Sequence, residues 1–398
     1  MELNYSARGC PICSSTHSQV LFEQRFEQLS GAHLLYGYDV SICDECGAGY
    51  ADKIPPQSEF DRYYRELSKY DYSDRPTEAR PAEDQRYLDM ADGVAPHIPT
   101  AEARIFEIGS GAGQLLAALK ARGFTNVCCS DPSPGCVKAA AAFGVPGIVC
   151  TIFDAPTPSV PYEFLILTGV MEHIRDLHRA VAQFHRLLRP GGRVYLEVPD
   201  GSRYMARLDA PFQEFSVEHI NFFSAQSLTN LMQTNGFRAV ATGEATRSLH
   251  ESSCPTVYGV YERTNGNLSL RKDEETEKGL RNYIAGCSEE DIRIRRRISD
   301  AVSNQGQMIV WGTGAHTLRL LANGGLHPSQ IALFVDSNPN YQNRSLRGVP
   351  VVAPAQLNCT RQPILISSKG FQNEIQQQIR KQLHLTNPLI LLYDAPDT

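Results

Sequence analysis

The sequence predicts an α/β protein with a doubly wound parallel sheet at its centre, a small cysteine-stapled module before it and a second, smaller α/β unit after it. Three observations carry that reading. Arg104-Ile-Phe-Glu-Ile108 is a short apolar strand running into Gly109-Ser-Gly-Ala-Gly113, a helix follows to Gly123, and a second strand (Asn126 to Ser130) ends in Asp131. Much the same order returns at Gln307 to His316, with Gly312 and Gly314 in the turn and Asp336 closing the next strand. Two Cys-x-x-Cys pairs, Cys10/Cys13 and Cys43/Cys46, stand 29 residues apart near the N-terminus.

A chain of 398 residues holds two or three domains. Composition divides it into a zinc-binding module over 1–55, a helical connector over 56–100, a catalytic domain over 101–262, a connecting helix over 263–305 and a Rossmann-like unit over 306–398. The chain is 42% hydrophobic and 21% charged, as expected of a globular protein with a sizeable core. A net charge of −6 argues against broad attraction to nucleic acid or to an anionic membrane. No apolar run has the length of a transmembrane helix and the N-terminus is polar, so the expected location is cytoplasmic.

Taken in order, the two cysteine pairs read as knuckles that aim four thiolates at one zinc ion, with disulfides or free thiols as the alternative. Four cysteine ligands leave no open position, which makes such a metal structural. Residues 55–100 are polar and rich in phenols: Tyr63 and Tyr64, then Tyr70 and Tyr72. Most such tyrosines pack with the hydroxyl at the surface, and one or two reaching the active site is the sharper expectation. Strand signals then recur at 104–108, 126–130, 147–150, 163–168 and 193–198 with helical stretches between them, which is the pattern of a parallel sheet. A helix over 225–235 and strands near 238–242 and 256–261 complete the unit. The charged stretch from Arg271 to Val302 reads as a solvated connecting helix.

Ligands of such sheets sit at the carboxyl ends of the parallel strands. Glycines there let the backbone turn tightly and approach a ligand, and Asp131, 18 positions beyond Gly113, lies where a carboxylate can accept from ribose hydroxyls. A dinucleotide fingerprint has G-x-G-x-x-G, whereas this chain has G-x-G-x-G preceded by Glu107. An acid in that loop suits a positively charged ligand rather than a phosphate, although a tight turn in another α/β fold is the plain alternative. The fourth strand ends in Thr168-Gly-Val-Met-Glu172-His173, and an inserted stretch after the fifth carries Ser216-Val-Glu218-His219. His173 and His219 thus belong at one edge although they lie 46 positions apart. Histidine is the side chain suited to take a proton near neutral pH, and a neighbouring carboxylate can orient it.

The run from Glu107 to Gly113 resembles motif I of class I S-adenosylmethionine (SAM) methyltransferases, and Pro190-Gly-Gly192 resembles the turn before their fifth strand. The whole order of parts resembles the C-methyltransferases of nucleotide-linked 4-keto-deoxysugars in deoxysugar biosynthesis, which join a cysteine zinc module, a SAM domain and a C-terminal Rossmann-like domain that closes over the sugar nucleotide. The resemblance implies SAM as cofactor, held by Glu107, Gly109, Gly111, Gly113, Asp131 and Thr168, and structural zinc on Cys10, Cys13, Cys43 and Cys46. It implies a small-molecule acceptor, a nucleotide-linked sugar, with no nucleic-acid or membrane partner. It makes His219 the base, with Glu218 and His173 beside it and an N-terminal tyrosine matching Tyr70 or Tyr72. The family's tyrosine two positions before the glutamate is Ser216 here, a departure compatible with a different acceptor, so O- or N-methylation of a sugar or other small metabolite is the alternative.

Overall fold

The structure is a computed structural model; it describes residues 5–28, 35–66, 85–206, 210–249, 252–264, 266, 269–357 and 361–394. The N-terminal strands β1 (Ser18–Arg25), β2 (Gly37–Cys43) and β3 (Gly49–Asp52) form an antiparallel meander. Helices α1 (Gln57–Glu66) and α2 (Gln85–Val94) lead from it to the central sheet.

That sheet contains β4 (Ile105–Ile108), β5 (Val127–Asp131), β6 (Gly147–Val149), β7 (Tyr162–Thr168) and β8 (Leu188–Pro199), all parallel. Between them lie α3 (Gln114–Ala121), α4 (Pro134–Ala142) and α5 (Leu177–Leu187). A two-residue strand β9 (Asn221–Phe222) and helix α6 (Ala225–Gln233) precede an antiparallel final pair, β10 (Phe237–Leu249) and β11 (Ser252–Arg263). The order across the sheet is β10-β11-β8-β7-β4-β5-β6. With the antiparallel pair at one edge and helices on both faces, this is the class I methyltransferase fold. Alternation along β7 shows the two layers: Leu165 and Leu167 pack in the cluster with α5 and α6, while Phe164 and Ile166 pack with α2 and α3. A strand apolar on both faces can only be central.

Helix α7 (Glu275–Gln305) then leads to a six-stranded sheet. It comprises β12 (Met308–Trp311), β13 (Ile331–Val335), β14 (Ser345–Leu346), β15 (Val349–Val352), β16 (Ile364–Ile366) and β17 (Leu389–Leu391), flanked by α8 (Ala315–Ala322) and α9 (Gln372–Gln377). β13, β12, β16 and β17 are mutually parallel, as the repeated strand and glycine-turn pattern requires.

One connection was not legible in the sequence. The stretch after β8, which reads as an insertion in the central sheet, adds β9 as a fourth strand to the N-terminal meander: Gly49 pairs with Phe222 and Tyr50 with Asn221. Its aromatics complete the core of that layer, where Phe22 stacks on Phe212 at 4.4 Å and Phe215 meets Tyr283 of α7 edge-on at 5.2 Å. The N-terminal layer therefore grips the segment that carries His219.

Among the described residues no helix is both long and apolar enough to cross a membrane.

Candidate active site

Two loops at the carboxyl edge of the central sheet define the site. The first follows β4. Gly109 and Gly113 both have positive φ (72° and 77°) and no room for a side chain, since a Cβ would meet Val170 Cγ2 at 2.6 Å and Ala140 Cβ at 2.7 Å. Gly111 (φ 53°) differs: nothing lies within 4 Å of where its Cβ would be. The loop is thus packed at both ends and open in the middle, where a ligand can approach the backbone. Asp131 at the end of β5 accepts from Gly111 N and Ser133 N, both at 2.9 Å, so it shapes the loop and keeps acceptor capacity on each oxygen. Glu107 is 2% exposed, and its Oε2 is buried with no hydrogen-bond partner. Burial, with Asp131 nearby, pushes its carboxyl up to about 8. A buried acid in that state has the chemistry to receive a cationic group. SAM would fit this set: Glu107 would answer its ammonium, Asp131 its ribose hydroxyls, and the open face of Gly111 would admit it. Thr168 ends β7 on the same edge, half-buried, in register with Glu197 of β8.

The second loop set lies at the same edge of the sheet. After β7 a single helical turn, Met171–His173, carries Glu172 and His173, and the stretch before β9 carries Ser216, Glu218 and His219. The two imidazoles, distant in sequence, meet edge-to-face with ring centroids 5.0 Å apart. His173 Nδ1 lies 3.0 Å from the Glu218 carbonyl oxygen and 2.9 Å from Tyr64 Oη. A carbonyl can only accept, so Nδ1 of the neutral ring carries the proton and Nε2 carries the lone pair. That Nε2 faces Glu172 Oε1 at 3.8 Å. Tyr63 Oη donates to Glu218 Oε1 at 2.9 Å. The Ser216 hydroxyl oxygen accepts from Glu218 N (3.2 Å) and His219 N (3.1 Å), which pins the turn that presents His219. Glu172 is 2% exposed; burial first, then the charges of Glu197 and Glu214, raise its carboxyl to about 8.

The two stretches of this second set hang on one buried cation. Arg8, two positions before the first knuckle, donates from Nε to Ala51 O (2.9 Å), from Nη1 to Arg175 O (3.2 Å) and from Nη2 to Ile220 O (2.9 Å) and Asn221 Oδ1 (3.0 Å). Burial, then the charge of Arg175, lowers it to about 10, which leaves it charged at neutral pH. Asn221 passes the connection on, donating from Nδ2 to Met171 O (2.9 Å) and Ile174 O (2.7 Å) on either side of the Glu172-His173 turn. A guanidinium shared among four acceptors fixes their spacing more firmly than separate neutral bonds would. The N-terminal layer therefore sets the distance between His173 and His219.

The four knuckle cysteines converge as their spacing predicts. Cys10 Sγ and Cys46 Sγ are 3.6 Å apart, Cys13 Sγ and Cys43 Sγ 3.5 Å, and all four sulfurs lie within 4.8 Å of one another. Zinc–sulfur bonds of about 2.3 Å in a tetrahedron put sulfurs roughly 3.7 Å apart, so the cluster fits a zinc module with little adjustment.

Of the residues singled out in the sequence, Glu107, the three glycines and Asp131 share the first loop, and His173, Glu218 and His219 share the second. Tyr70 and Tyr72 lie outside the described residues; among the described residues, Tyr63 and Tyr64 at the end of α1 bring phenols to the site. Arg8, Glu172 and Asn221 were not singled out for a role. Glu172 adjoins His173 and Asn221 lies two positions past His219, so adjacency alone would have found them; Arg8 carried no such signal.

Comparisons with known proteins agree with this geometry. Residues 67–242 match the family model described as a methyltransferase domain. A probable S-adenosylmethionine-dependent methyltransferase of Mycolicibacterium smegmatis is 29% identical over 89 residues, 22% of this chain and 34% of the relative. The C-methyltransferase NovU of Streptomyces niveus is 25% identical over 198 residues, 46% of either chain. The chain thus spans a third to a half of the lengths of these curated relatives. Among solved structures, a SAM-dependent methyltransferase of Thermotoga maritima is 21% identical with a TM-score of 0.36, covering 45% of this chain and 89% of its own. The chain carries a methyltransferase domain.

Proposed function

We propose that this domain transfers a methyl group from SAM to a carbon of a nucleotide-linked 4-keto-deoxysugar, with His219 as the base. The observation that carries the reading is the assembly of His219, His173 and Glu218, with two phenols, beside the loop fitted for SAM. When bound, SAM supplies an electrophilic methyl on a sulfonium. The chain's own residues supply the nucleophile's activation. A ketone acidifies the neighbouring C–H, His219 takes that proton, and the electrons move onto the ketone oxygen as an enolate. The protonated Nδ1 of His173 is held by the Glu218 carbonyl, and Tyr64 at its side can donate toward developing charge. General base catalysis of this kind contributes about 10²–10⁴-fold, the remainder coming from alignment of carbon and methyl. The Streptomyces relative named as a C-methyltransferase supports methylation at carbon.

Ser216 stands where the resembling enzymes have a tyrosine. Here its hydroxyl oxygen holds the backbone of Glu218 and His219, while Tyr63 and Tyr64 bring phenols to the Glu218 and His173 side chains. Phenols reaching the pocket from α1 support an acceptor of similar chemistry in a reshaped pocket. In the same reading a structural zinc sits on Cys10, Cys13, Cys43 and Cys46, and the C-terminal sheet closes on the nucleotide.

The test is incubation of the protein with SAM and a panel of nucleotide-linked 4-ketosugars, scored by mass spectrometry for one added methyl group and, in D2O, for exchange at the carbon beside the ketone. A methylated ketosugar with exchange is expected. Methylation of a hydroxyl or amine without exchange would replace the reading with O- or N-transfer, and no methylated product with SAM binding intact would reject the ketosugar.

A further inference from the structure

Glu172, His173 and His219 place three metal-ligating atoms within 4.8 Å of one another, apart from the four cysteines and at the opposite pole of ligand chemistry. We infer that these three side chains form a second metal site, one that takes a divalent first-row transition ion through two imidazole nitrogens and a carboxylate, and that its occupancy holds His219 out of proton transfer.

Three features of this cluster point to a cation there. Glu172 Oε2 is buried without a hydrogen-bond partner, on a residue 2% exposed, which is costly unless a positive ligand completes it. His173 is arranged as metal-bound imidazoles are: its Nδ1–H is directed at the Glu218 carbonyl, which fixes the tautomer and leaves the lone pair on Nε2, 3.8 Å from Glu172 Oε1. Donors sharing one ion at about 2.1 Å stand roughly 3.0–4.2 Å apart, so this pair is already at ligating distance and only His219 has to close in slightly. Glu197 and Glu214 lie close enough to Glu172 for their charges to act on it, and these acids favour a dication over a monovalent one. An N₂O donor set suits zinc, cobalt or nickel rather than magnesium or calcium, which prefer oxygen.

A lone pair given to an ion cannot also take a proton, so the bound form would be inhibited. That inhibitory half rests on the role proposed for His219; the binding half does not.

The test uses tag-free protein with zinc already in the cysteine site, and needs neither SAM nor acceptor. Co²⁺ is titrated in while visible absorption is followed, and equilibrium dialysis counts the ions. One added Co²⁺ per chain is expected, with d–d bands and no thiolate charge-transfer band. Affinity should fall at least tenfold in both Glu172→Gln and His219→Ala, and stay unchanged in His17→Ala, whose exposed imidazole pairs with Glu45. Zinc content and SAM affinity of the two variants confirm that they fold. Absence of the added ion in wild type, or its persistence in both variants, overturns the site. In turnover assays the loaded protein should be inhibited and recover on dialysis; an increase in turnover would overturn the inhibitory half. Because binding is read without substrate, failure of the metal site leaves the methyltransferase reading standing, and failure of every ketosugar leaves the metal site standing.

Discussion

The chain contains the same turn twice, and the two copies have been put to different uses. Aligned on their first glycines, Glu107-Ile-Gly109-Ser-Gly111-Ala-Gly113 corresponds to Val310-Trp-Gly312-Thr-Gly314-Ala-His316, and Asp131 to Asp336. In the central copy the strand ends in a buried acid with an orphaned oxygen, and Asp131 receives two backbone N–H groups and the Cys136 thiol. In the C-terminal copy a valine replaces that acid, and Asp336 is more fully engaged, by Thr313 N (2.8 Å), Thr313 Oγ1 (2.6 Å) and Asn338 N (2.8 Å). The third position is glycine in one and His316 in the other, whose Nε2 meets Tyr393 Oη at 3.0 Å. One loop keeps an unmet carboxylate oxygen, which is what a cationic ligand needs; the other has no acid at that position, and its unmet atom is Nδ1 of the buried His316.

This contrast can be broken by substitution. The largest effect belongs outside both turns: His219→Ala should lower kcat by about 10²–10⁴ with SAM affinity retained, as measured by single-turnover kinetics and calorimetry. Normal turnover would remove His219 from the base role and leave the histidine pair unexplained. Next, Glu107→Ala should weaken SAM about 100-fold, the cost of losing one buried charge-assisted contact, whereas Asp336→Ala should leave SAM affinity within about twofold. Calorimetry should give one SAM per chain. Two equivalents, or equal losses in both variants, would make the C-terminal turn a second cofactor site. His316→Ala should act on stability alone. Its imidazole is held down to about 3, by burial and then by Arg319, so it stays neutral throughout the working range. Loss of its bond to Tyr393 should cost about 1–3 kcal/mol in denaturant unfolding, with no change in SAM binding.

Much of this was legible because it is local. The Glu107–Gly113 loop is one turn between a buried strand and an amphipathic helix, and glycine spacing with a flanking acid records it directly. The four cysteines were equally plain, since zinc ligands come as paired knuckles. The meeting of His173 with His219 was half legible: topology places both at one sheet edge, but the contact depends on β9 leaving the central unit to pair with Gly49 and Tyr50. A two-residue strand has too few positions for periodicity to register. Arg8 was illegible for a related reason. Its four acceptors are contributed by residues 51, 175, 220 and 221, three of them backbone carbonyls, which any residue type can supply. The glycine pattern distinguishes the two turns only by the missing third glycine, because it records the turn and not whether its polar atoms are already satisfied.

The buried acid of the central copy makes one further, smaller prediction, in pH. Glu107 has its carboxyl raised to about 8 by burial and by Asp131, against about 4.5 when exposed. In the ligand-free protein the unfolded chain gives up this proton first, so between about pH 4.5 and 8 the native state binds more protons, and this group's contribution to stability falls as pH rises. Glu172, also raised to about 8, adds a contribution of the same sign. SAM binding should run the other way. If its ammonium pairs with ionised Glu107, affinity rises with pH below 8, approaching about tenfold per unit, with release of close to one proton. An α-amino group itself loses its charge near pH 7.7–8.0, so the rise should level off there and reverse. Calorimetry in buffers of different ionisation enthalpy between pH 5.5 and 9 reads both quantities. A flat affinity without proton release from pH 6 to 8 would mean that the ammonium finds its partner elsewhere, and the distinction drawn between the two turns would then rest on the open face of Gly111 alone.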